Sequence, residues 1–292
     1  MFMLEGQARG HAIYYCQVSD LFILGAIPHT RFRRTEVVRA VPHYQLFEEG
    51  TEPLNWFDAV FMRKDPPVDL AYLFATYVLS LIDPLSTLVL NHPRGLREAN
   101  EKLYALNFPS VIPPSIVTCD ITRLKAFMAD LGGEMIVKPL DGCGGAGVFH
   151  VHHSDRNVNA ILETATDHGR RLTMGQRYLS EIRSGDKRLI VLDGMPLGAT
   201  LRIPREDEHR GNIHVGGTCV KAEMTQRDQL IVETLAPRLR QDGLHFVGLD
   251  IIGDYLTEIN VTSPTGIQEI NALNGVRLEG AVIDFVERRL PR

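Results

Sequence analysis

Three oxygen-bearing side chains near the end of the chain stand at a spacing that suits a divalent cation. Glu258 and Asn260 lie two residues apart in an apolar run, so in a strand both side chains point to one face of the sheet. Asp250 lies in the preceding apolar run, and Gly253-Asp254 between the runs predicts a tight hairpin that brings Asp250 to the same face. Two carboxylates and a carboxamide are ligands that Mg²⁺ prefers. The alternative is an ordinary polar, solvated sheet face.

A glycine-rich segment between two predicted strands suits the binding of phosphate. The strand predicted over residues 134–139 carries Lys138 near its end, and residues 142–147 include four glycines, Gly144 and Gly145 among them. Glycine lets backbone N–H groups approach an anion closely, and lysine adds a point charge. No G-K-[ST] follows, and the next element is a strand, so this is not a Walker loop. The segment is interpreted as a phosphate-binding hairpin.

Two arginines lie on neighbouring predicted strands in the second half of the chain. Apolar runs over residues 186–192 and 196–203 are joined through Asp193-Gly194, a hairpin signal, and they carry Arg188 and Arg202. Arginine inside a sheet is costly unless it is paired. We interpret the two side chains as holders of anionic groups, with a pair of exposed rim side chains as the alternative.

A polar segment over residues 204–217 follows the second of these strands. It contains three glycines, and Arg210 and Asn212 stand at its middle. A segment of this length within a domain is usually a functional lid or disordered. We expect it to close over a substrate so that Arg210 and Asn212 act on that substrate.

Length and composition bound the class of protein. The chain has 292 residues, enough for two domains or one large α/β domain. The formal net charge of −5 gives no global basic field for nucleic acid or an anionic membrane. No apolar run is long enough to cross a bilayer, and the first residues lack the pattern of a signal peptide. The four cysteines are far apart and form no C-x-x-C, which favours a reducing cytoplasm.

Periodicity and capping signals place these residues on alternating helices and strands. Asp120 is predicted to cap a helix over residues 121–131. A short strand over residues 58–62 leads into R-K-D-P-P from Arg63, a rigid charged loop where α/β sheets bind ligands, with an exposed charged turn as the alternative. Residues 20–45 are predicted to form short strands and turns. Further helices are predicted at residues 2–9, 70–82, 96–106, 157–166, 225–241 and 276–290, and further strands at residues 11–17, 87–90, 111–117, 148–151, 172–179, 246–252 and 255–259.

These residues together indicate phosphoryl transfer from a nucleotide. They supply cations for a polyphosphate, oxygens for Mg²⁺ and a cover that excludes water. No Ser-His-Asp or Cys-His arrangement is evident in the sequence. Catalysis would then depend on positioning and charge neutralisation.

Several motifs resemble those of the bacterial glutathione synthetase family of ATP-grasp ligases, in the same order and over nearly the whole chain. The motifs are Met62-Arg63-Lys64-Asp65-Pro66-Pro67, Asn100-Glu101-Lys102-Leu103, Lys138-Pro139-Leu140-Asp141-Gly142 with Gly144-Gly145, Gly185-Asp186-Lys187-Arg188, Arg210-Gly211-Asn212, and residues 247–265 around Glu258, Asn260 and Ser263-Pro264-Thr265. The resemblance implies an α/β fold with a parallel α/β (pre-ATP-grasp) domain over residues 1–97, here without its first strand. A two-lobed ATP-grasp domain would follow over residues 98–292.

The resemblance also implies a reaction and the residues that serve it. ATP, γ-glutamylcysteine and glycine would give glutathione, ADP and phosphate through an acyl phosphate, in a homo-tetramer. The ATP-binding residues would be Lys102, Lys138, Gly144, Gly145, Gln176, Tyr178, Leu179 and Asp186. The ligands of Mg²⁺ or Mn²⁺ would be Asp250, Glu258 and Asn260. Arg188, Arg202 and Arg210 would be catalytic, and Arg63, Asn212 and Ser263 would bind substrate.

Two departures from the family pattern keep alternatives open. Family members begin with a strand and a loop ahead of the helix at which this chain begins, so we expect a truncated sequence, a start assigned too late or an adapted domain. Thr218 also stands after Gly216-Gly217, where some relatives carry arginine. The alternatives are a related ATP-grasp ligase that joins other amino acids and an inactive chain that binds a nucleotide or peptide.

Overall fold

The N-terminal part of the chain forms an antiparallel sheet followed by a short parallel pair of strands. The computed structural model describes residues 1–205 and 216–290. Strand β3 pairs antiparallel with β1, β2 and β4, whereas β5 and β6 pair in parallel. The elements are α1 (Phe2–Ala8), β1 (Tyr14–Tyr15), β2 (Leu21–Leu24), β3 (Ile27–Val37), β4 (Tyr44–Pro53), β5 (Ala59–Phe61), α2 (Leu70–Leu79), β6 (Leu88–Leu90) and α3 (Pro93–Glu98).

A four-stranded antiparallel sheet in the order β7-β10-β8-β9 follows. Its elements are β7 (Ser115–Thr118), α4 (Ile121–Asp130), β8 (Glu134–Pro139), β9 (Phe149–His152), α5 (Val158–Ala165) and β10 (Thr173–Gln176). Leu124 of α4 and Leu162 of α5 pack with Met135 and Val137 of β8 in one core, and all four side chains are fully buried. The two helices therefore cover one face of the sheet and leave the other for a ligand.

A five-stranded antiparallel sheet in the order β13-β12-β11-β14-β15 completes the fold. Its elements are β11 (Asp186–Leu192), β12 (Met195–Ile203), β13 (Thr218–Lys221), α6 (Gln226–Gln241), β14 (Phe246–Ile252), β15 (Tyr255–Asn260), α7 (Ile267–Asn274) and α8 (Leu278–Glu287). Leu189, Val247 and Leu249 are fully buried in a core that extends back to Leu54 and Leu79 of the N-terminal part. This shared core fixes the N-terminal part against the central strands of the sheet.

Local sequence signals place most elements within a few residues. The bounds of β8, β11 and β14 match the prediction, and the hairpin at Gly253-Asp254 joins β14 to β15. No helix in the described part of the chain is long and apolar enough to cross a membrane. All four cysteines are free thiols.

Several predictions of secondary structure are wrong or incomplete. The residues expected to form short strands and turns, 20–45, include the 11-residue strand β3, and β4 and β13 have no counterpart in the prediction. The helix expected over residues 96–106 ends at Glu98, and a 3₁₀ turn, Tyr104–Asn107, follows. The Oδ1 atom of Asn100 accepts hydrogen bonds from the backbone N–H groups of Lys102 (3.1 Å) and Leu103 (3.0 Å), a local turn that competes with a helix. The strand expected over residues 11–17 is only two residues long. Helix α7 has no counterpart in the prediction.

Replacing the residue that caps α4 should destabilise the protein measurably. The side chain of Asp120 accepts hydrogen bonds from the backbone N–H groups of Thr122 (2.8 Å) and Arg123 (3.3 Å). Asp120→Ala should lower the free energy of unfolding by about 1 kcal/mol, whereas Asp120→Asn keeps an acceptor and should stay within ~0.3 kcal/mol of the wild type. Urea unfolding measures both variants. An unchanged midpoint for the alanine variant would mean that the cap does not stabilise the helix.

Candidate active site

A cleft lies between the four-stranded and the five-stranded sheets. Strand β8 and the glycine-rich loop after it form one wall, and β11, β14 and β15 form the other. The lining residues are Lys102, Ile136, Lys138, 142–146, Val148, Gln176, Arg177, Tyr178, Leu179, Ile182, Asp186, Asp250, Ile252, Thr257 and Glu258. All eight residues expected to bind ATP, and two of the three expected metal ligands, therefore line one cleft.

Two buried lysines stand at the end of the cleft that carries the glycine-rich loop. The Nζ atom of Lys102 donates to the carbonyl oxygen of Gly142 (2.5 Å) and lies 3.3 Å from Oε1 of Glu258. The Nζ atom of Lys138 donates to Oε1 of Gln176 (3.0 Å) and to the carbonyl oxygen of Thr257 (3.1 Å). Burial lowers the pKa of Lys138 to about 8, although Glu258 opposes this effect. Both cations are thus held at the edge of the cleft by neutral or anionic groups.

The glycine-rich loop requires glycine at specific positions. Gly144 and Gly145 have φ values of 62° and 82°, a region that other residues adopt rarely. A Cβ atom at Gly142 would lie 2.9 Å from Cγ of Pro139 and 3.0 Å from the carbonyl oxygen of Ala146. The loop backbone can therefore follow this path, close to the lysines, only without side chains at these positions.

Apolar side chains line part of the same cleft. These side chains are Ile136, Val148, Leu179, Ile182 and Ile252. Gln176 lies between this region and the lysines, since its Oε1 accepts from Lys138 and its Nε2 donates to Oγ of Ser115 (2.9 Å). An apolar slot that ends in two cations has the chemical character of a site for a planar base attached to a polyphosphate.

Four buried charged side chains form a network on β11, β12 and β14. Arg188 donates to Asp250 through Nε (2.6 Å) and Nη2 (3.1 Å), and Nη2 of Arg202 lies 3.0 Å from Oδ1 of Asp250. Arg202 also donates to Asp186. Burial disfavours both carboxylates, but the two guanidinium groups prevail at Asp250 and hold its pKa well below the usual range. At Asp186 burial prevails and raises the pKa.

The three expected metal ligands share one face of the β14–β15 hairpin. Asp250 is directly opposite Glu258, and Asn260 is opposite Gly248. The amide nitrogen of Asn260 donates to the carbonyl oxygen of Gly248 (3.3 Å), which leaves its amide oxygen for a ligand. Within residues 1–205 and 216–290, no three His, Cys, Asp or Glu side chains gather into a metal site.

The donor set nevertheless fits a cation that is shared with a phosphate. Two carboxylates and one carboxamide oxygen are hard ligands, and Mg²⁺ usually keeps further positions for water and phosphate oxygens. The Oδ1 atom of Asp186, in the same cleft, is buried and has no hydrogen-bond partner. The hairpin therefore offers a partial coordination shell that a nucleotide would complete.

Arg63, from the N-terminal part, and Arg188 contact the loop that carries Ser263. Arg63 donates to the carbonyl oxygen of Pro264 (2.9 Å), and Nη1 of Arg188 donates to that of Thr265 (3.0 Å). The guanidinium carbon of Arg63 lies 5.5 Å from the ring centroids of Phe2 and Phe246. Burial lowers the pKa of Arg63 to about 10, and its Nη1 atom is buried without a partner. The free N–H groups of this arginine suit a carboxylate ligand.

The sequence prediction misses several residues that shape the site. Two residues that it names are not among the residues that the structure describes. Arg210 and Asn212 fall outside the described residues. Of the apolar wall, the prediction includes Leu179, whereas the other members and Thr257 are missing from it; Ile136 could have been found as the residue two positions before Lys138 on the same face. Glu101 is also missing: its carboxylate accepts from the backbone N–H groups of Val261 (2.9 Å) and Thr262 (3.1 Å).

Comparison with known proteins gives matches along almost the whole chain. The family profile described as prokaryotic glutathione synthetase, N-terminal domain, matches residues 1–97, and the profile for the ATP-grasp domain of the same enzyme matches residues 101–275. A glutathione synthetase of Thermosynechococcus vestitus is 49% identical over 97% of this chain and 92% of its own length. One of Gloeobacter violaceus is 48% identical over 97% of this chain and 89% of its own length.

Solved structures share the fold at much lower identity. The ATP-grasp ligase PsnB, complexed with its precursor peptide and AMPPNP, has a TM-score of 0.65 and 17% identity, and the match covers 100% of this chain and 94% of that one. D-cycloserine synthetase DcsG has a TM-score of 0.63 and 17% identity over 80% of this chain and 85% of that one. The predicted α/β fold with an ATP-grasp domain is confirmed. The chain belongs to the prokaryotic glutathione synthetase family.

Proposed function

We propose that this chain catalyses the reaction of its family in the cleft between the two sheets: γ-glutamylcysteine and glycine are joined to give glutathione while ATP becomes ADP and phosphate. One observation carries the assignment to the cleft. Lys102, Lys138 and a glycine-rich loop line the same cleft as Asp250 and Glu258. Cations for phosphate and carboxylates for a divalent ion thereby meet in one space, which apolar side chains also line.

The proposed ATP site divides into a base end and a phosphate end. Tyr178, Leu179 and Ile136 would contact the base, whereas Gln176 and Asp186 would bind more polar parts of the nucleotide. Lys102, Lys138 and the backbone of Gly144 and Gly145 would hold the phosphates. This arrangement lowers the barrier to phosphoryl transfer by positioning and charge neutralisation.

Asp250, Glu258 and Asn260 are the proposed ligands of Mg²⁺ or Mn²⁺. Such an ion would neutralise charge on the phosphate oxygens of the nucleotide. Lys102 lies 3.3 Å from Glu258, so cation and carboxylate are already held together at the phosphate end. The oxygen-only donor set favours a hard ion over zinc.

The proposed reaction has two steps. An oxygen of the C-terminal carboxylate of γ-glutamylcysteine attacks the γ-phosphorus, the bond to ADP breaks, and an acyl phosphate forms. The amine of glycine then attacks the carbonyl carbon, phosphate leaves, and the nitrogen loses a proton as the C–N bond is completed. Arg188 and Arg202 would neutralise the charge on the transferring group, because their guanidinium groups are buried beside the phosphate end. Arg210 and Asn212 would belong to a lid that keeps water from the acyl phosphate.

Assembly, compartment and domain boundary are further parts of the proposal. We propose a homo-tetramer, a cytoplasmic location and a boundary between the two domains at residues 97 and 98. The free state of all four cysteines is consistent with a reducing compartment. Light scattering of the purified chain measures the assembly.

Phosphate release with ATP, Mg²⁺ and γ-glutamylcysteine tests the proposed reaction directly. Release that depends on glycine and equals glutathione formation would support it. Ligation of another amino acid in place of glycine would favour a related ligase. ATP binding without ligation would favour an inactive nucleotide-binding chain.

Glu258→Ala should reduce kcat at least 100-fold, because it removes a proposed metal ligand and the carboxylate beside Lys102. The matched control is Glu233→Ala on α6, whose carboxylate accepts from Nε2 of Gln229 (2.8 Å) outside the cleft. Glutathione formation at saturating ATP and Mg²⁺ measures both variants. Retention of most activity by Glu258→Ala would contradict the metal assignment.

The affinity for ATP should fall above about pH 8. The pKa of Lys138 is lowered to about 8, so the ammonium that would hold phosphate loses its proton as the pH rises through that value. The quantity to measure is kcat/KM for ATP between pH 6.5 and 9.5, because it reports the free enzyme. Lys138→Arg keeps its charge throughout this range and should remove the alkaline decline. A wild-type profile that is flat to pH 9.5 would contradict the role of Lys138.

Arg63→Lys should raise the KM for γ-glutamylcysteine about tenfold and leave the KM for ATP within twofold. Lysine cannot hold the carbonyl oxygen of Pro264 and a substrate carboxylate with the paired geometry of guanidinium. Arg97→Lys, at a second arginine that contacts an aromatic ring (4.6 Å from the centroid of Tyr77), is the control. Equal changes in both KM values for Arg63→Lys would contradict a role in binding the peptide.

A further inference from the structure

His150 on β9 stacks against the aromatic ring of Tyr178 at the wall of the cleft. The ring centroids are 3.8 Å apart, and the ring planes are inclined by 14°. Tyr178 lines the cleft next to Leu179 of the apolar slot, whereas His150 does not line the cleft. Neither the motifs nor the proposed reaction gives His150 a role.

The register of the sheet explains why His150 reaches this position. His150 is directly opposite Ile136 in the antiparallel pair of β9 and β8, so both side chains point to the same face. Lys138 and Glu134 share that face, because each is two residues from Ile136. On this face of β8, Lys138 at the phosphate end is followed by Ile136 in the apolar slot and then by Glu134. His150 stands beside Ile136 on the neighbouring strand.

Glu134 anchors the imidazole from the neighbouring strand. The Nε2 atom of His150 lies 2.9 Å from Oε2 of Glu134. The side chain of His150 is 29% exposed and that of Glu134 is 43% exposed, so the pair sits at the rim of the cleft. Within the described residues, the Tyr178 hydroxyl makes no hydrogen bond, and the ring that stacks on Tyr178 is His150. The stack therefore helps to fix the orientation of the Tyr178 ring.

We propose that His150 is a positioning residue for the base of the nucleotide: stacked on Tyr178 and anchored by Glu134, it holds the Tyr178 ring in the wall of the slot. The inference rests on the proposed function, because it assigns the slot to the base of ATP. Without the His150 side chain, the ring of Tyr178 can leave the wall. ATP binding must then also order that ring, which lowers the affinity for ATP. The peptide end of the site, around Arg63, is separate from this contact and should be unaffected.

Four variants separate stacking from general damage. His150→Ala should raise the KM for ATP about fivefold, in the range expected for one aromatic pair, with kcat and the KM for γ-glutamylcysteine within twofold of the wild type. His150→Phe keeps the stack and should restore the KM for ATP to within twofold. His152→Ala, two residues along the same strand and without contact to Tyr178, is the matched control and should change nothing. Glu134→Ala should raise the KM for ATP in the wild type but add nothing to His150→Ala, because the two residues act as a unit.

Direct binding of Mg-ATP, measured by calorimetry on the same variants, distinguishes failure of this inference from failure of the proposed function. A wild type that binds Mg-ATP but forms no glutathione would contradict the proposed function, while a fivefold loss of affinity in His150→Ala would still support the inference. An unchanged affinity for Mg-ATP in His150→Ala would overturn the inference. It would also be overturned if His150→Phe bound as weakly as His150→Ala, or if the wild type did not bind Mg-ATP.

Discussion

The shared hydrogen bonds of two arginines with Asp250 are the interaction on which the rest of the site depends. Four charged side chains, Asp186, Arg188, Arg202 and Asp250, are each at least 93% buried in one sheet. Burying a charge is unfavourable unless the charge is paired, and removal of one member of a buried pair typically costs about 3–5 kcal/mol. The central strands can carry these groups only because each guanidinium lies against a carboxylate. Charge neutrality of the network therefore constrains both the fold and the chemistry.

The same principle extends across the cleft to the lysines. Lys102 is held by Gly142 and Glu258, and Lys138 by Gln176 and Thr257. Within the described residues, both of these lysines therefore have protein partners. Under the proposed function, ATP would exchange some of these partners for phosphate oxygens, and the loss of the earlier contacts would offset part of its electrostatic attraction. Specificity for the nucleotide would then depend on how well phosphate oxygens replace these partners, and not on a net positive charge of the protein. The formal net charge of −5 agrees with this.

Features that neighbouring residues determine could be predicted from the sequence, whereas features that depend on residues far apart in the chain could not. A hairpin signal of two residues, Gly253-Asp254, is local, and it correctly placed Asp250 opposite Glu258. The strand signal over residues 134–139 likewise placed Lys138 near the end of β8, where it lines the cleft. The helix expected over residues 96–106 failed because the side chain of Asn100 forms a turn that apolar spacing does not report. The contact of His150 with Tyr178 requires the register of three strands, β9, β8 and β10, which no local pattern supplies.

The loop after β15, Val261 to Gly266, shows why the peptide end of the site lay beyond prediction from local signals. Asn91 donates to the carbonyl oxygen of Val261 (3.1 Å), and Glu101 accepts from the backbone of the same residue. Arg63 and Arg188 donate to the carbonyl oxygens of Pro264 and Thr265 farther along the loop. These four side chains come from separate parts of the chain, up to 201 residues away from the loop in sequence. The path of this loop, and with it the position of Ser263, therefore depends on both halves of the molecule, so a change in the N-terminal part can alter the peptide end. The ATP end is built largely within β8 to β15, and among its proposed residues Lys102 alone precedes β8.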